Sequence, residues 1–334
     1  MRENTRYSRH EILREIGREG QKILSKSRIA IIGAGALGNA CANLLARAGV
    51  GEIRIVDRDI VEITNLQRQI LYTERDVGKA KAETLANHLT SINSEINVIP
   101  LPVDFNPDNA KKILQKVNLV MDCTDNLLTR FLINDFCVKY KIPWIYAGVL
   151  GTSGMSYNIL PGAPCFRCIF PEMPSVPLPT CETAGILNTV PVFFGAIQAT
   201  EAIKILLGKE ARKSLIFVDL WNFEVHEIQV AKNTACRTCA YHEYDFLEQK
   251  TGERIIQMCG ANSVYIHPGA DREVNIAETA HKLSNVGKVQ RQGKILIANI
   301  EGKELSLFPD GGAIIKGIKT QEEAKNFYAK YIGL

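Results

Sequence analysis

Three glycines and an aspartate have the spacing of a nucleotide-binding loop. Gly33, Gly35 and Gly38 follow an apolar run typical of a buried strand and precede a stretch with helical character. Glycine permits a tight turn close to phosphate, and the following helix N-terminus offers free N–H groups to an anion. Asp57 lies about 20 residues after the last glycine, where a carboxylate can accept hydrogen bonds from ribose hydroxyls. The pattern indicates a nucleotide, and by itself it fits both a dinucleotide and ATP.

A group of amide and cationic side chains after Asp57 favours a triphosphate. Asn65, Arg68 and Gln69 lie within one short segment, and Lys81 follows soon after. A triphosphate needs several cations and amides that converge on it, whereas a nicotinamide dinucleotide does not. Arg68 and Lys81 are therefore the candidates for a phosphate clamp.

Asp125 and Asn126 follow the strand predicted over 119–122, at its carboxyl end. In open α/β sheets the ligand crevice lies at that edge. A carboxylate there can hold Mg²⁺, which keeps several waters and bridges phosphate oxygens. We count both residues in the nucleotide site. The alternative is that one of them only caps the following helix.

Two cysteine pairs have the spacing of zinc knuckles. Cys165 and Cys168 form the first Cys-x-x-Cys, and Cys236 and Cys239 form the second. Because we expect a reducing compartment, paired cysteines indicate a metal rather than disulfides. Four thiolates suit tetrahedral Zn²⁺, and a closed four-cysteine site is structural because it leaves no position for substrate. A redox pair is the alternative, and two matched pairs make it the weaker one.

Cys181 is separate from those four cysteines, after a proline-rich stretch over 171–179 and before an apolar helix. A cysteine near a helix N-terminus can have a lowered pKa and act as a nucleophile. An idle loop cysteine is the alternative. The remaining cysteines fall in predicted helices or strands, where we expect small buried hydrophobic side chains: Cys41, Cys123, Cys137 and Cys259.

Composition and charge exclude several classes of protein. The 334 residues are 46% hydrophobic, which is ordinary for a globular chain long enough for two domains. The net charge is +4 with both signs interspersed, so we expect no nucleic-acid partner. No apolar run is long enough to span a bilayer, and the polar N-terminus lacks a signal core. We therefore expect a cytoplasmic protein without a membrane partner.

The elements that must position these residues alternate between strand and helix. Strands are predicted over 28–32, 52–56, 96–100, 119–122 and 144–149, with helices over 39–48, 79–91, 108–115 and 128–140. This alternation predicts a Rossmann-like, doubly wound parallel sheet. Strands over 153–160, 215–220 and 224–230 then continue it antiparallel, around an apolar helix over 189–207. A capping-box pattern at Ser8 predicts a short helix near the start.

The last part of the chain is predicted to be a small separate α/β unit. It has six short strands, near residues 255, 264, 289, 295, 305 and 313, and helices over 276–283 and 321–331. Thr320 opens the last helix with capping-box spacing. We divide the chain into a nucleotide-binding domain with the zinc knuckles, 1–250, and an accessory domain, 251–334. The accessory domain carries no catalytic constellation, so we interpret it as a docking or stabilising module.

Taken together, the motifs resemble those of the ThiF/MoeB/HesA family, the prokaryotic relatives of ubiquitin-activating enzymes. The matching residues are Tyr7-Ser8-Arg9-His10, Gly33-x-Gly35-x-x-Gly38, Asp57-x-Asp59, Asn65-Leu66-Gln67-Arg68-Gln69, Lys81 and Cys123-Thr124-Asp125-Asn126. The resemblance covers residues 6–241. The C-terminal unit resembles the tail domain found on some Gram-positive members.

The resemblance implies a role for each matching residue. It implies that Asp57 binds the ribose and that Asp125 binds Mg²⁺. The phosphates would be contacted by Asn65, Arg68, Gln69 and Lys81. The arginine matching Arg9 reaches the ATP site of the other protomer, which implies a homodimer. The cysteine matching Cys181 lies in a crossover loop and forms a covalent link to the carrier in some members, and residues 148–154 would receive the carrier's C-terminal tail.

The implied activity is ATP- and Mg²⁺-dependent adenylylation of the C-terminal glycine of a ubiquitin-like sulfur carrier. The carrier would be ThiS-like or MoaD-like, serving thiamine thiazole or molybdopterin synthesis, with a sulfur donor such as a cysteine desulfurase as a further partner. One alternative is dehydration of threonylcarbamoyladenosine in tRNA on the same fold. Another, an NAD-dependent oxidoreductase, leaves Arg68, Lys81 and Asp125 unexplained. A non-catalytic scaffold predicts the loss of a clamp residue, and none is missing.

Overall fold

The computed structural model describes residues 6–174, 180–248, 254–257, 263–269 and 274–333. Its larger sheet contains the strands β1 (Arg28–Ile32), β2 (Glu52–Val56), β3 (Asn97–Leu101), β4 (Leu119–Asp122), β5 (Trp144–Leu150), β6 (Ser153–Ile159), β7 (Leu215–Asp219) and β8 (Glu224–Ile228). They lie in the order β3-β2-β1-β4-β5-β6-β7-β8. Pairing is parallel from β3 to β5 and antiparallel from β5 to β8. The predicted fold class is confirmed.

Helices cover both faces of this sheet. They are α1 (Ser8–Glu11), α2 (Gly17–Lys26), α3 (Ala36–Arg47), α4 (Lys81–Ile92), α5 (Pro107–Leu114), α6 (Leu127–Tyr140), α7 (Phe166–Ile169), α8 (Cys181–Ala184) and α9 (Thr189–Leu206). Alternate residues of β1 enter different cores: Ile29 and Ile31 pack with α3, α4 and α9, whereas Ala30 and Ile32 pack with α5 and α6. Burial on both faces explains why β1 is an unbroken apolar run.

Two features near the N-terminus differ from the predictions. The short helix over Ser8–Glu11 is present, but Tyr7 occupies its N-cap without a side-chain hydrogen bond, so the predicted capping box at Ser8 is wrong. Helix α2 was not predicted. Its buried residues are Gly20, Gln21 and Leu24. The segment is mostly polar and contains two glycines, which have low helix propensity, so its composition argued against a helix.

Among the described residues, α9 is the one helix long and apolar enough to cross a membrane, so the expectation that no apolar run reaches this length is wrong. In this structure it packs closely against α3, since a Cβ at Gly195 would lie 2.6 Å from the Cβ of Ala40. The buried carboxylate of Glu201 accepts hydrogen bonds from Asn158 Nδ2 at 2.6 Å and from the Arg212 N–H at 2.8 Å. Such contacts are typical of a core helix in an α/β domain.

The smaller sheet is antiparallel and lies in the last part of the chain. It contains β9 (Arg254–Gln257), β10 (Ser263–His267), β11 (Lys288–Gln292), β12 (Ile295–Ile300), β13 (Lys303–Leu307) and β14 (Ala313–Lys316), in the order β11-β12-β13-β14-β10-β9. The helices α10 (Ile276–Leu283) and α11 (Gln321–Tyr331) share its core. All six predicted strands and both helices are confirmed, and Thr320 caps α11 by accepting from the Glu323 N–H at 3.2 Å. The predicted boundary at 250/251 lies outside the described residues and stays a prediction.

Candidate functional site

The glycine loop joins β1 to α3 at the carboxyl end of the parallel strands. Gly33 has a φ of +98°, and a Cβ there would clash with the carbonyl oxygen of Cys123, while a Cβ at Gly38 would clash with the carbonyl oxygen of Gly33. Gly35 differs, because its φ of −75° suits any residue and a Cβ there would meet its nearest neighbour, Gln69 Nε2, at 4.0 Å. The fold needs glycine at positions 33 and 38. At position 35, glycine leaves a cradle at the N-terminus of α3 that fits phosphate.

Asp57, just after β2, holds the glycine loop through its carboxylate. Its Oδ2 accepts a hydrogen bond from the Ala34 N–H at 2.6 Å, and its Oδ1 accepts one from the Asp59 N–H at 2.7 Å. Burial, together with the nearby charge of Asp59, raises the pKa of Asp57 to about 6. The carboxylate is therefore ionised at neutral pH and retains lone pairs for ribose hydroxyls.

Lys81 begins α4 and forms an ion pair across the site. Its Nζ lies 3.0 Å from Asp59 Oδ2, and only 7% of the residue is exposed. Burial alone would lower the pKa of Lys81, but attraction to Asp59 and Asp57 outweighs burial and raises it. Asp125, the predicted Mg²⁺ ligand, also raises the pKa of Lys81, so the charges of the two side chains interact. No role was predicted for Asp59 from the sequence, although the Asp-x-Asp pattern was the available signal.

Two further side chains that the sequence analysis missed hold the loop from behind. Asn39 Nδ2 donates to the Ala34 carbonyl at 2.8 Å, and the Tyr72 hydroxyl donates to the same carbonyl at 2.9 Å. Asn39 also accepts a hydrogen bond from the Leu71 N–H at 3.0 Å. A fully buried polar residue within an apolar helix was the signal for Asn39. Tyr72 had no such signal, since its partners are backbone atoms brought close by the fold.

The segment predicted to contact phosphate forms a tight turn beside the loop. Asn65 is buried, and its Oδ1 accepts from the Glu62 N–H at 3.1 Å, so in this structure it caps the short 3₁₀ turn over Ile63–Asn65. Arg68 is half-buried and donates to the Thr64 carbonyl at 3.0 Å. Gln69 is almost fully buried, and its Oε1 has no hydrogen-bond partner among the described residues. An ionised phosphate has no hydrogen to donate, so the part of a nucleotide that suits this buried acceptor is a hydroxyl such as that of ribose. The donor for phosphate is Gln69 Nε2, the atom nearest to Gly35.

Asp125 and Asn126 both lie in the exposed turn between β4 and α6, but only Asn126 caps the helix. Asn126 Oδ1 accepts a hydrogen bond from the Thr129 N–H at 2.9 Å. Asn126 therefore caps α6, and its part in the nucleotide site stays a prediction. Asp125 makes no capping hydrogen bond in the described structure, and its exposed carboxylate lies close enough to raise the pKa of both Lys81 and Cys181.

Arg130 fixes the turn that carries Asp125, and the sequence analysis missed it. Its Nε lies 3.1 Å from Asp122 Oδ2, and its Nη2 donates to the carbonyls of Thr124 at 2.6 Å and of Ala147 at 3.2 Å. These contacts join the ends of β4 and β5. No local signal identified Arg130, because its partners come from two separate strands.

Cys181 lies close to the nucleotide residues, but its thiol is not activated in the way predicted. Burial raises its pKa, Arg68 counteracts this only in part, and Asp125 raises it further. The expected lowering of the pKa is wrong here because burial outweighs the attraction of Arg68. Its Sγ lies 3.9 Å from the Val149 carbonyl, so the thiol is placed between the clamp and the end of β5.

The segment after Cys181 is tied to the tip of the β5–β6 hairpin. The Gly151 N–H donates to the Gly185 carbonyl at 3.0 Å, and the Leu187 N–H donates back to the Gly151 carbonyl at 2.8 Å. Gln67 Nε2 donates to the Ile186 carbonyl at 3.2 Å. The crossover segment, residues 180–187, therefore connects the segment of residues 65–69 to the glycine-rich β5–β6 hairpin.

The glycines of this hairpin have different functions. A Cβ at Gly148 would lie 2.7 Å from the Tyr146 hydroxyl, and one at Gly154 would lie 2.5 Å from the Phe194 ring. Those two glycines therefore serve packing within the fold. At Gly151 a Cβ would meet nothing within 4 Å, so this position alone combines a turn, with φ of +60°, and open space.

The four paired cysteines converge on one point. Their Sγ atoms all lie within 4.8 Å of one another, and Cys165–Cys236 and Cys168–Cys239 are each 3.5 Å apart. Tetrahedral zinc with Zn–S bonds of roughly 2.3 Å requires S···S separations of roughly 3.8 Å. The donor set and its spacing therefore fit Zn²⁺. Of the other cysteines, Cys41, Cys123 and Cys137 are buried as expected, and Cys259 lies outside the described residues.

Helix α6 anchors both knuckles. Asn134 donates from Nδ2 to Cys165 Sγ at 3.8 Å, and its Oδ1 accepts from the Phe166 N–H at 2.9 Å. The next residue, Asp135, accepts from Thr238 Oγ1 at 3.0 Å and from the Phe246 N–H at 2.9 Å. Such second contacts orient ligands around a metal.

The geometry agrees with comparisons with known proteins. A family model described as the ThiF family matches residues 7–238. The chain belongs to the ThiF family. It is 38% identical to the sulfur carrier protein ThiS adenylyltransferase of Bacillus subtilis, over 98% of this chain and 99% of that protein. It is also 38% identical to the SAMP-activating enzyme E1 of Haloferax volcanii, over 73% of this chain and 91% of that protein.

A solved structure extends this similarity to the fold. Escherichia coli MccB, crystallised with AMPCPP and MccA, superposes with a TM-score of 0.62. The two chains are 26% identical, and the match covers 71% of this chain and 75% of that one. The ThiF-family fold of this chain therefore also occurs in a protein crystallised with an ATP analogue.

Proposed function

We propose that this ThiF-family chain adenylylates the C-terminal carboxylate of a ubiquitin-like sulfur-carrier protein with ATP. The names of its relatives support this activity. The observation that carries it is the arrangement at the glycine loop. An open cradle at Gly35, an ionised Asp57 and a buried cationic Lys81 meet there, as a nucleoside triphosphate requires.

The reaction follows from the charges in this site. A carboxylate oxygen of the carrier attacks the α-phosphorus of ATP, the bond to the bridging oxygen breaks, and pyrophosphate leaves with that electron pair. Negative charge develops on the phosphate oxygens, and Lys81 and Arg68 stabilise it. No side-chain base is required, because the carboxylate is already ionised at neutral pH.

We assign the predicted metal sites in the same scheme. The exposed carboxylate of Asp125 is a suitable oxygen ligand for Mg²⁺, which would neutralise phosphate charge when bound. The four converging thiols, supported by Asn134 and Asp135, would hold a structural Zn²⁺. Neither metal changes the assignment of Lys81 and Arg68 to the phosphates.

The crossover segment, residues 180–187, and the adjoining β5–β6 hairpin would position the carrier. The carrier's narrow glycine tail would pass beneath residues 180–187 towards Arg68. The tip of the β7–β8 hairpin adjoins this path, since the Leu220 N–H donates to the Thr152 carbonyl at 2.9 Å. Trp221 and Phe223 on that tip are 73% and 81% exposed. An exposed aromatic pair beside the tail path is suited to the body of the carrier.

The finer parts of the proposal concern assembly and pathway. Arg9 lies exposed in α1, where it is available to complete the nucleotide site of a second copy in a homodimer. A ThiS-like carrier is favoured over a MoaD-like one because the match to the ThiS enzyme spans almost the whole chain. Thiazole synthesis in the cytoplasm, with a cysteine desulfurase as sulfur donor, completes the proposal.

ATP–pyrophosphate exchange tests the proposed activity directly. The purified protein would be assayed with Mg²⁺ and either a ThiS-like or a MoaD-like carrier that ends in Gly-Gly. We expect exchange that requires the intact carrier tail and is lost in Asp125→Ala. ATP binding without exchange on either carrier would contradict the proposal and direct attention to tRNA-base dehydration or a scaffold role.

A further inference from the structure

The C-terminal sheet uses its two faces differently. One face packs with α10 and α11 through a core that includes Leu283 and Phe327. The other face presents Tyr265 and Ile314, which are buried in a cluster with Ala80 of the nucleotide-binding unit. The second face therefore packs against the residue that immediately precedes Lys81.

Ala80 belongs to a short pairing that also carries Asp59. Ile60 and Ala80 form an antiparallel bridge, and the Lys81 N–H donates to the Asp59 carbonyl at 2.9 Å. The backbone thus joins the two residues whose side chains form the ion pair in the site. The C-terminal sheet contacts this pairing directly at Ala80.

Polar contacts tie both strands of this pairing to the C-terminal unit. Lys316 Nζ, at the end of β14, lies 3.0 Å from Glu62 Oε1, three residues after Asp59. The Lys294 N–H, in the β11–β12 turn, donates to Glu83 Oε1 at 3.1 Å, two residues after Lys81. Each member of the ion pair therefore has a neighbour anchored in the C-terminal sheet.

An aromatic contact strengthens the connection beside Asp59. The guanidinium carbon of Arg58 lies 4.4 Å from the centre of the Tyr265 ring, and Arg58 Nη1 pairs with Asp104 Oδ1 at 2.6 Å. A cation over an aromatic face is attractive, and more so when both groups are desolvated. Burial would raise the pKa of Asp59, but Lys81, Arg58 and Lys316 together lower it, so Lys316 is within electrostatic reach of the site.

We propose that the C-terminal unit positions the Asp59–Lys81 pair for the triphosphate, with Lys316 and Tyr265 as positioning residues. This inference rests on the proposed adenylylation. The ThiF-family match ends at residue 238, so the unit lies outside the part of the chain that the family shares. By restraining residues 58–62 and 80–83 before ATP arrives, it reduces the conformational entropy lost on binding. The effect is on ATP affinity rather than on bond formation.

The test compares two lysines of the same unit. Lys316→Met removes the pair with Glu62 and a second pair with Glu304 of β13 at 3.4 Å, and Lys316→Arg retains both. Lys303→Met is the matched control, because Lys303 pairs with Glu323 of α11 at 2.9 Å and is 22% exposed, against 30% for Lys316. We expect Lys316→Met to raise the dissociation constant and KM for ATP about two- to fivefold, the range of a partly exposed ion pair. Its kcat should stay unchanged, and Lys316→Arg and Lys303→Met should both resemble the parent.

A second variant tests whether the loss of ATP affinity comes from the Lys316–Glu62 pair rather than from another effect of replacing Lys316. Glu62→Gln should raise the dissociation constant for ATP like Lys316→Met, and the double variant should be no weaker than either single one. Parent affinity in Lys316→Met, or an equal loss in Lys303→Met, would overturn the inference. Calorimetric ATP binding needs no carrier, so this arm is decisive even where exchange fails and the proposed function falls.

Discussion

The nucleotide site and the cysteine cluster belong to the same unit but are built in opposite ways. In the nucleotide site, backbone N–H groups hold Asp57 from behind, while Gly35 and the Oε1 of Gln69 leave one side available for a ligand. In the cysteine cluster, four thiols face one another within 4.8 Å, supported by Asn134 and Asp135. The first arrangement is open and the second is closed.

The difference matches what each site has to do. A site that binds ATP and releases pyrophosphate must keep its charged groups oriented both when it is empty and when it is occupied. Contacts within the protein, rather than contacts with the ligand, therefore hold these groups in place. A structural metal site keeps its metal bound, and the metal contributes most to folding stability when all the protein ligands converge on it. Substitutions should therefore alter turnover in the first site and stability in the second.

The largest effect is expected at Lys81. Lys81→Met removes the cation proposed to contact the phosphates and leaves Asp59 and Asp57 close together without it, so exchange should fall about 100-fold or more. Lys79→Met is the control, since Lys79 pairs with Asp76 at 3.1 Å and is half-exposed. Comparable losses of exchange in both variants would show that the charge of the segment matters, rather than the position of Lys81.

The next effect concerns the closed site. Cys239→Ser should reduce the zinc content and lower Tm by about 5 °C or more, because an incomplete ligand set loses much of the metal's folding free energy. Metal analysis and thermal unfolding would measure this. Cys181→Ser should retain the parent's zinc content and Tm. Full zinc and an unchanged Tm in Cys239→Ser would break the distinction between the two sites.

A smaller effect on ATP binding is expected from the protonation of Asp57 at low pH. Its pKa is raised from 3.8 to about 6, so the carboxyl becomes protonated as pH falls through 6 and then accepts ribose hydrogen bonds less well. KM for ATP should rise about tenfold from pH 7 to pH 5, since about nine-tenths of the groups are protonated one unit below the pKa. Asp57→Asn should lack this part of the pH dependence, which separates it from the titration of ATP itself.

Lowering the pH should weaken ATP binding at Asp57, whereas it should increase the contribution of Asp57 to folding stability. Because the folded pKa of Asp57 exceeds its unfolded value, the folded state binds the proton more tightly between about pH 4 and 6. The contribution of Asp57 to the free energy of unfolding therefore increases as pH falls through that window. Denaturant titrations of the parent and Asp57→Asn at pH 4.5 and pH 7 would measure it.

The smallest effect is expected at Cys181. Its raised pKa means that little thiolate is present at neutral pH, so Cys181→Ser should change ATP–pyrophosphate exchange less than about threefold. Mass spectrometry under non-reducing conditions would show whether the parent forms a covalent adduct with the carrier that this variant lacks. A large loss of exchange in Cys181→Ser would place the thiol in the adenylylation step and contradict this prediction.

The sequence alone determined the elements and the donor types of both sites. Period-two and period-3.6 patterns located the sheet of the nucleotide-binding unit and the small C-terminal unit, because apolar burial and turn chemistry are local. Phosphate was indicated by the spacing of Gly33, Gly35 and Gly38, and zinc by the spacing within the cysteine pairs, because each of these motifs is also local. Helix α2 was missed because its two glycines and its polar composition argue against a helix.

Only the tertiary structure decided how these parts act together. It showed that Asn126 caps a helix, that burial raises the pKa of the Cys181 thiol, and that Arg130 joins β4 to β5. It also brought Lys316 to Glu62, next to the Asp59–Lys81 pair. These contacts join residues far apart along the chain, and burial and charge depend on all the neighbours that folding assembles. No local pattern records them.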